Sequence, residues 1–498
     1  MTQRIAISCI IFLSISAHLS AQIDRYWSQN FNDESSMLAG AVVGGDAGVA
    51  SIYYNPANIS EITESRLSVS VSLFSLSMYN LKNAVGDDLD LNKTKFMAQP
   101  RFISYLLDFK RFPKVSMELA FMNVANNQVR FSYTEDEHMD ILTELPGEER
   151  YYASYVQENN YRDDYFGAGF SYQFSDRFWV GTSALVSVKS VRSLRDLDIE
   201  AIPLTDSVGP PGSQVPAYDA SYAEYDEIRF DNFSLVWKFG AAYRFRFIRL
   251  GMNISLPSAN LFTGGKYASR LIKQNNITSP DGITFLPDYS FAGTMSRKEL
   301  KVRYRTPFSL AIGATFNSPT QPDKSFFLTA EYFAALPVYE MLHGDGYPAP
   351  MPEGVIGVDS ASWMTYKAAA RDLINLATGY RWIISPKVLL LAGFKTDFNF
   401  LKGVVIDGNR TDNYSINVYH LTSGFRIKIK QNVILWGIQY SFGYDKGKKQ
   451  LMNLSNPVEY NQSEQKPLQG TRENNMNVLY NGLSFFLGAT FNFGGKAD

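Results

Sequence analysis

Large apolar side chains alternate with small or polar ones along much of this sequence, and this period of two constrains the fold more than any other feature. Side chains two positions apart on a β-strand lie on the same face, so each stretch has one apolar face and one small or polar face. Near the C-terminus the apolar face contains Ile434, Trp436, Ile438, Tyr440, Phe442 and Tyr444. The same sorting recurs at 166–174 and 483–493. Since the other face is rich in Gly, Ser, Asn and Gln, the pattern favours strands that face lipid around a lumen.

The alternation predicts about fourteen strands, an even number as bacterial single-chain barrels have. They are 66–80, 94–107, 114–134, 160–174, 177–194, 224–246, 249–275, 296–316, 325–339, 364–383, 387–400, 412–429, 432–445 and 479–493. Short and long connections alternate strictly between them, which is typical of tight periplasmic turns and long extracellular loops. We therefore predict an all-β fold, a 14-stranded antiparallel transmembrane β-barrel over 66–493 with a tail at 494–498. A secreted soluble β protein is the alternative.

The first residues have the pattern of a secretory signal peptide. Arg4, the apolar run 5–15 and the small-residue site at 19–21 predict that residues 1–21 are removed, with a single N-terminal anchor as the alternative. The only cysteine, Cys9, lies in that run, so the mature chain would form neither disulfides nor thiolate metal sites. No later stretch is apolar over the roughly 18 residues that a membrane helix needs. We expect a protein of the outer membrane of a Gram-negative bacterium.

Charge and motifs limit which partners and which chemistry this chain can have. The net charge of −2 at pH 7, without a basic run, argues against nucleic acid. We expect a monomer that contacts outer-membrane lipid and lipopolysaccharide and is inserted by the barrel-assembly machinery, since its last strand ends on the aromatic Phe493. We expect no cofactor and no enzyme activity. Beyond the signal only His138, His343 and His420 remain, and the glycine-rich run at 44–48 lacks the Lys-Ser/Thr of a phosphate loop.

The segment 22–65 precedes the first strand and is rich in small and apolar residues. A fourteen-stranded barrel is wide enough to hold more than its own side chains, so this segment is predicted to form a plug, or hatch, inside the lumen. Three glycines would let its backbone pass close to the wall, and a stiff turn would follow because Pro56 fixes its own φ and restricts Asn55. These hatch residues are Gly44, Gly45, Gly48, Asn55, Pro56 and Ala57. An ordinary periplasmic linker is the alternative.

Three short runs resemble a known family. The run 36–48 followed by 53–57 (YYNPA) resembles the plug signature of FadL-type outer-membrane transporters of long-chain fatty acids and other hydrophobic compounds. The run 305–314, a Thr-Pro followed by an apolar strand, resembles a second landmark of that family, and 256–258 (LPS) before Gly264-Gly265 resembles its seventh-strand region. The resemblance implies a fourteen-stranded barrel with an N-terminal hatch and an internal apolar pocket. It further implies that hatch movement releases the ligand through a lateral gap near a kinked third strand.

Candidate ligand contacts follow from strand parity. Lys301, Arg303 and Arg305 share the parity of the small residues 309, 311 and 313, and Lys395 shares that of Gly393, so these cations are candidates for a carboxylate headgroup. Pairing with lumenal acids or with the hatch is the alternative. Ile23, Tyr26, Trp27 and Phe31 are candidates for the apolar pocket or for anchoring the plug. Asn123, Asn126 and Asn127 interrupt the third strand and suit a kink, unless the strand simply leaves the membrane there.

Two functions are compatible with such a barrel. The first is passive uptake of long-chain fatty acids or similar hydrophobic small molecules, which needs a continuous apolar pocket between the loops and the hatch. The second is a FadL-like barrel that binds cargo for a secretion system such as type IX, which needs an exposed protein-binding rim. The sequence favours transport and does not identify the ligand.

Overall fold

A computed structural model describes most of the chain. The described residues are 24–27, 33–45, 47–62, 67–109, 111–142, 145, 147–204, 219–277, 291–298, 300–344, 346, 363–407, 409–411, 413–430 and 432–491. The predicted signal peptide, the positions Ile23 and Phe31 and the tail 494–498 lie outside them.

The described residues form a few short helices and many strands. The helices are α1 (Asp33–Met37) and α2 (Ser51–Tyr54), with 3₁₀ turns at Gly48–Ala50 and Pro56–Glu61. Among these residues, no helix has the length and apolarity that crossing a membrane requires. The strands are β1 (Leu67–Lys82), β2 (Leu91–Asp108), β3 (Val115–Met139), β4 (Glu149–Ser175), β5 (Phe178–Pro203), β6 (Ala220–Arg244), β7 (Ile248–Ser255), β8 (Ala259–Asn275), β9 (Phe291–Arg297), β10 (Lys301–Val302), β11 (Ser309–Asn317), β12 (Lys324–Phe333), β13 (Leu336–His343), β14 (Tyr366–Ala370), β15 (Leu373–Ser385), β16 (Val388–Asp397), β17 (Val405–Ile406), β18 (Asn409–Arg410), β19 (Val418–Ile429), β20 (Asn432–Lys448), β21 (Tyr460–Asn461), β22 (Lys466–Pro467) and β23 (Met476–Phe491).

Fourteen of these strands close into an antiparallel barrel, which confirms the predicted fold class. Around the ring the order is β1, β2, β3, β4, β5, β6, β7, β11, β12, β15, β16, β19, β20 and β23, and β23 pairs with β1. Closure gives every strand a hydrogen-bonded neighbour on both sides, as a lipid-facing sheet requires. The predicted alternation is also observed: along β20 the outward Trp436 and Tyr440 are exposed, whereas the inward Leu435 and Gln439 are buried.

Several strands rise well beyond the roughly 9–11 residues that cross a membrane. Strands β3 to β6 have 25 to 27 residues each. At the long-loop end, the connection between β20 and β23 folds over the barrel, where the Leu451 amide donates to the Ala84 carbonyl at 2.8 Å. Lys466 of this loop reaches Glu224 of β6 at 2.7 Å. Burial alone would raise the pKa of Glu224, but Arg195 and Lys466 hold it below its ordinary value.

The wall ladder is interrupted at two places above the short-turn end. Strand β2 pairs with β3 only up to Phe102 and Met122, although both strands continue and pair with their other neighbours. Likewise, β7 pairs with β11 only up to Ser255 and Ser309.

Proline explains the second interruption, which the alternation did not predict. The predicted strand 249–275 is split at 256–258 into β7 and β8, and the predicted strand 296–316 is split into β9, β10 and β11. Pro257 and Pro307 lie in these two breaks. Because proline has no amide hydrogen to donate, it ends a ladder that alternation of side chains alone would continue.

Candidate functional site

Residues 33–62, called the hatch segment below, pack inside the barrel near its short turns. Their apolar side chains are buried, with Met37, Leu38, Val42 and Ile52 each 0% exposed. Inward-facing wall glycines leave room for the hatch backbone and side chains. The positions at which a Cβ would overlap a hatch atom include Gly181, Gly240, Gly251, Gly313, Gly393 and Gly437. The wall thus accepts the hatch segment because it has no side chains at these points of contact.

Contact is tightest where the predicted hatch glycines meet β7 and β11. A Cβ on Gly44 would lie 2.8 Å from the backbone of Ala314, and one on Gly251 would overlap the Val43 carbonyl. Gly45 has a φ of 150° and faces the Arg249 guanidinium. Here the hatch backbone and the wall backbone are in van der Waals contact, which only glycine allows.

Asn55 joins the two halves of the hatch segment to the wall. Its side-chain amide donates to the Val43 carbonyl at 2.9 Å and to the Ala241 carbonyl of β6 at 3.1 Å. Its side-chain oxygen accepts from the Ala57 amide at 3.2 Å, and Pro56 begins the 3₁₀ turn that follows. Asn55 is fully buried, and its bonds within the hatch segment, to Val43 and Ala57, are shielded from water.

The residues 24–27, called the N-terminal arm below, cross the lumen above the hatch segment. The Trp27 amide donates to Asp397 at 2.9 Å, and its indole donates to Glu331 at 2.7 Å. Tyr26 stacks between Phe333 and Phe400, with ring centroids 4.3 and 4.4 Å away. The arm is therefore held by polar and aromatic contacts, and it separates two cavities.

The first, called the main cavity, has about 820 Å³ of space, counting the part that opens to solvent, and seven aromatic rings are among the side chains that line it. Its rings belong to Tyr26, Tyr53, Tyr161, Tyr165, Tyr304, Phe333 and Phe400. A buried cation also lines it. The Lys238 ammonium lies 4.2 Å from the centre of the Tyr53 ring and donates to the Ser255 hydroxyl at 2.9 Å. An aromatic cavity with a few placed polar groups is the usual form of a small-molecule site.

The second, called the polar cavity, lies on the other side of the arm and encloses about 790 Å³ on the same measure. Hydroxyl, amide and charged side chains dominate its lining, among them Ser77, Gln128, Asp397, His420 and Gln439. The two cavities therefore suit ligands of different polarity.

The predicted headgroup cations have different surroundings. Lys301 and Arg303 are exposed and are not among the residues that line either cavity, because the inward position between them and Pro307 belongs to Tyr304, which is 3% exposed. This departs from the lumenal face that alternation predicted, since the segment 303–308 is not a regular strand. Arg305 is exposed but does line the main cavity. Lys395 is buried and donates to the Trp27 carbonyl, so it holds the arm.

The three asparagines of the third strand lie beside the first wall interruption. A register shift falls between Asn123 and Ala125, and Asn123 donates to Asp164 of β4 at 2.7 Å. Asn126 and Asn127 line the polar cavity, and the Asn126 amide approaches the Met97 sulfur of β2 at 3.5 Å.

Sequence reasoning missed Lys238, the buried cation of the main cavity. It shares the parity of Gly240 and Ala242 on β6, so its inward direction was readable from the strand pattern. A lysine on the lumenal face of a wall strand is as good a candidate for a headgroup contact as the cations at 301–305.

Comparison with known proteins establishes the fold. No protein-family profile and no curated protein sequence matches this chain. Among solved structures, the chain is similar to a FadL homologue of Pseudomonas aeruginosa, with a TM-score of 0.58 and 13% identity over 94% of this chain and 100% of that one. It is also similar to the toluene transporter TodX of Pseudomonas putida, with a TM-score of 0.52 and 12% identity over 94% and 99% of the two chains. The chain therefore has the FadL-type barrel fold, as its short sequence runs predicted.

We predict that Gly251→Ala will loosen the hatch segment. The added methyl overlaps the Val43 carbonyl, and such overpacking costs about 1–3 kcal/mol. Conductance of small ions through the protein in planar bilayers should rise. Gly264→Ala is the matched control, because a Cβ there meets nothing within 4 Å. Unchanged conductance of Gly251→Ala would contradict the close contact described here.

We also predict that Asn55→Ala will expose the hatch amides to solvent exchange. The substitution leaves the buried Val43 carbonyl without this donor, which costs about 1–3 kcal/mol. Hydrogen–deuterium exchange over 33–62, followed by mass spectrometry, should speed up while the barrel strands keep their protection. Asn92→Ala, which removes an exposed amide partner of Asn80, serves as the control. Equal exchange in both variants would show that Asn55 does not hold the segment.

Proposed function

We propose that this chain, whose fold is that of FadL-type channels, is a passive outer-membrane transporter of hydrophobic small molecules, with long-chain fatty acids as the favoured class. The aromatic main cavity above the hatch segment is the observation that carries the proposal. The similarity to a solved toluene transporter supports transport rather than catalysis.

The main cavity supplies both parts of a fatty acid site. Its rings, such as Tyr165 and Phe333, offer apolar surface to an acyl chain, and burial is worth about 0.8 kcal/mol per methylene. Lys238 offers a charge-assisted partner to the carboxylate, with Arg305 at the cavity margin as a second cation. Lys301 and Arg303, whose side chains are exposed, are less well placed for this role.

To release the ligand, the protein must lower the affinity of the site transiently, because a ligand bound in an apolar cavity is already at low free energy. We propose that the N-terminal arm supplies this change. Its contacts with Asp397, Glu331 and the Lys395 side chain are hydrogen bonds at the border of the two cavities, which water can replace when the arm moves. Displacement of Tyr26 from between Phe333 and Phe400 would open the floor of the main cavity.

Uptake of radiolabelled oleate tests the proposal. We expect cells that lack their own outer-membrane fatty acid transporter to regain oleate uptake when they produce this protein. Surface labelling would confirm that the barrel is assembled. Absence of uptake by an assembled, surface-exposed barrel would contradict the fatty acid proposal and would favour the cargo-binding alternative, which affinity capture of secreted proteins then tests.

We predict that Lys238→Met will weaken oleate binding by tenfold or more, since a hydrogen bond to a charged group is worth about 1.5–3 kcal/mol. Binding of toluene, which has no charge, should change little. Both affinities are measurable by fluorescence displacement on the purified protein. Lys301→Met is the matched control, because Lys301 is exposed and does not line the described cavities. Equal losses in the two variants, or loss of toluene binding as well, would rule out a headgroup role for Lys238.

A further inference from the structure

We propose that the polar cavity is a second ligand site, which binds an uncharged polyhydroxylated molecule of the sugar class. The transport of hydrophobic molecules does not use this cavity. The proposal rests on the buried polar side chains that line the cavity, on the two signs of charge among them and on the height of the cavity above the short turns.

Charged side chains line the polar cavity although they are largely removed from water. Asp397 and His420 are 0% and 4% exposed, and Asp24 and Arg25 of the N-terminal arm are 8% and 7% exposed. Burial of such groups costs free energy unless hydrogen bonds compensate for the lost water. A polar ligand in the cavity would supply hydrogen bonds of this kind.

Asp397 and His420 place a hydrogen-bond acceptor and a donor side by side. The Gln439 amide donates to Nδ1 of His420 at 3.0 Å, so the proton of this imidazole lies on Nε2. That Nε2 is 3.7 Å from Oδ2 of Asp397, which is too long for a hydrogen bond. Neither atom has a hydrogen-bond partner among the residues that the structure describes. One ligand hydroxyl can accept from Nε2 and donate to Oδ2, because a hydroxyl is both an acceptor and a donor.

Arg25 extends this arrangement. Its Nε lies 3.8 Å from Oδ2 of Asp397 and 3.4 Å from Oδ1 of Asp24. Within the described part of the chain, these Nε and Oδ1 atoms also have no hydrogen-bond partner. The four buried atoms thus alternate as acceptor, donor, acceptor and donor from Asp24 to His420. Neighbouring hydroxyl groups of one molecule match this alternation.

The rest of the lining also suits a sugar. Serine hydroxyls and side-chain amides, which both donate and accept, lie around the charged cluster. Examples are Ser75, Ser77, Ser441, Ser484, Asn127 and Gln128. The rings of Tyr79 and Tyr480, whose centroids are 4.8 Å apart, offer apolar surface to the C–H groups of a sugar ring. The cavity therefore has partners for both the edge and the faces of such a ring.

The charges of the cavity favour an uncharged ligand. The lining includes both signs: the cations are Arg25, Lys95 and Arg101, and the carboxylates are Asp24 and Asp397. A phosphate or carboxylate would be repelled by the aspartates, and an amine by the basic side chains. An acyl chain would leave the buried polar groups without hydrogen-bond partners. An uncharged polyol avoids all three costs.

Water-soluble molecules have access to the cavity above the membrane. Gln128 of β3 lines the cavity and is exposed, so the cavity reaches the outer surface there. From Val115, where β3 begins, to Gln128 the strand rises about 30 Å at about 3.3 Å per residue and a tilt of about 45°, whereas the apolar band is about 25 Å tall. The exposed edge of the cavity therefore faces water and not acyl chains.

Ligand-observed NMR titration of the purified protein tests the proposal. The detergent should be zwitterionic, because an alkyl glycoside would compete for the site. The uncharged probes are glucose, galactose, maltose and sucrose, and we expect saturable binding of at least one of them. Glucose 6-phosphate and glucosamine, which add a charge to the same ring, should bind more weakly. If none of the four uncharged sugars binds saturably, or if a charged probe binds more tightly than all of them, the proposal is wrong.

We predict that His420→Phe will weaken sugar binding about tenfold or more, because it removes the Nε2 donor beside Asp397. His343→Phe is the matched control, since His343 is exposed and lines neither of the described cavities. Ser77→Phe, which places a ring in the cavity and leaves the charged cluster unchanged, should weaken binding as well. Resistance of each folded barrel to SDS at room temperature verifies its assembly.

The outcomes are independent of the transport proposal, since the titration needs only purified protein and no oleate. Undiminished sugar binding by assembled His420→Phe and Ser77→Phe would show that the sugar binds elsewhere and would overturn the assignment to the polar cavity. An equal loss in the His343→Phe control would overturn it too. Loss of binding in the two cavity variants alone supports it.

Discussion

A strand that faces lipid has no water to satisfy its amides and carbonyls, so each must find a partner on a neighbouring strand. This requirement determines the wall of the molecule. Below Ser255 and Phe102 the ladder is complete around all fourteen strands, and outward side chains there are free to be apolar because the backbone is already satisfied. Wherever the ladder stops, side chains or bound molecules must take over part of that task. A functional site can therefore lie at the interruptions without breaking any backbone hydrogen bond of the ladder.

Burial of the hatch segment in the lumen imposes a second requirement. The polar groups of a segment that is buried in a barrel need hydrogen-bond partners. The segment must not, however, pair with the wall along its whole length as a further strand would. Here Asn55 satisfies the Val43 carbonyl and a wall carbonyl at once, and wall hydroxyls such as Thr422 donate to hatch carbonyls. Charged wall residues add ion pairs at the ends of the segment, from Arg426 to Glu34 and from Arg244 and Arg249 to Glu61. Elsewhere the segment packs against wall glycines. The segment is therefore held in the lumen both by close packing against glycine and by polar contacts with the wall.

Much of this architecture was predictable because the barrel imposes a periodic pattern on the sequence. Alternation of side chains identified which faces of β4 and β20 point outward and predicted about fourteen strands. The glycine run and Asn55-Pro56-Ala57 have backbone properties that suit close contact with the wall, and they lie against it in the lumen. Prediction failed where the period ended. Before Pro307 the segment 303–308 is not a regular strand: Lys301 and Arg303 are exposed, whereas Arg305, which has the same parity, lines the main cavity. Cavities lay beyond prediction altogether, since they depend on how distant strands and the N-terminal arm meet.

The unequal chemistry of the two cavities bears on how such a barrel can pass an apolar ligand without leaking polar solutes. The arm divides the lumen so that aromatic surface lies toward β6 and β11 and polar surface toward β2 and β20. A straight path from the long loops to the short turns would have to cross both environments and the hatch. The apolar and the polar parts of the lumen are therefore formed by different strands of the wall, with the N-terminal arm between them.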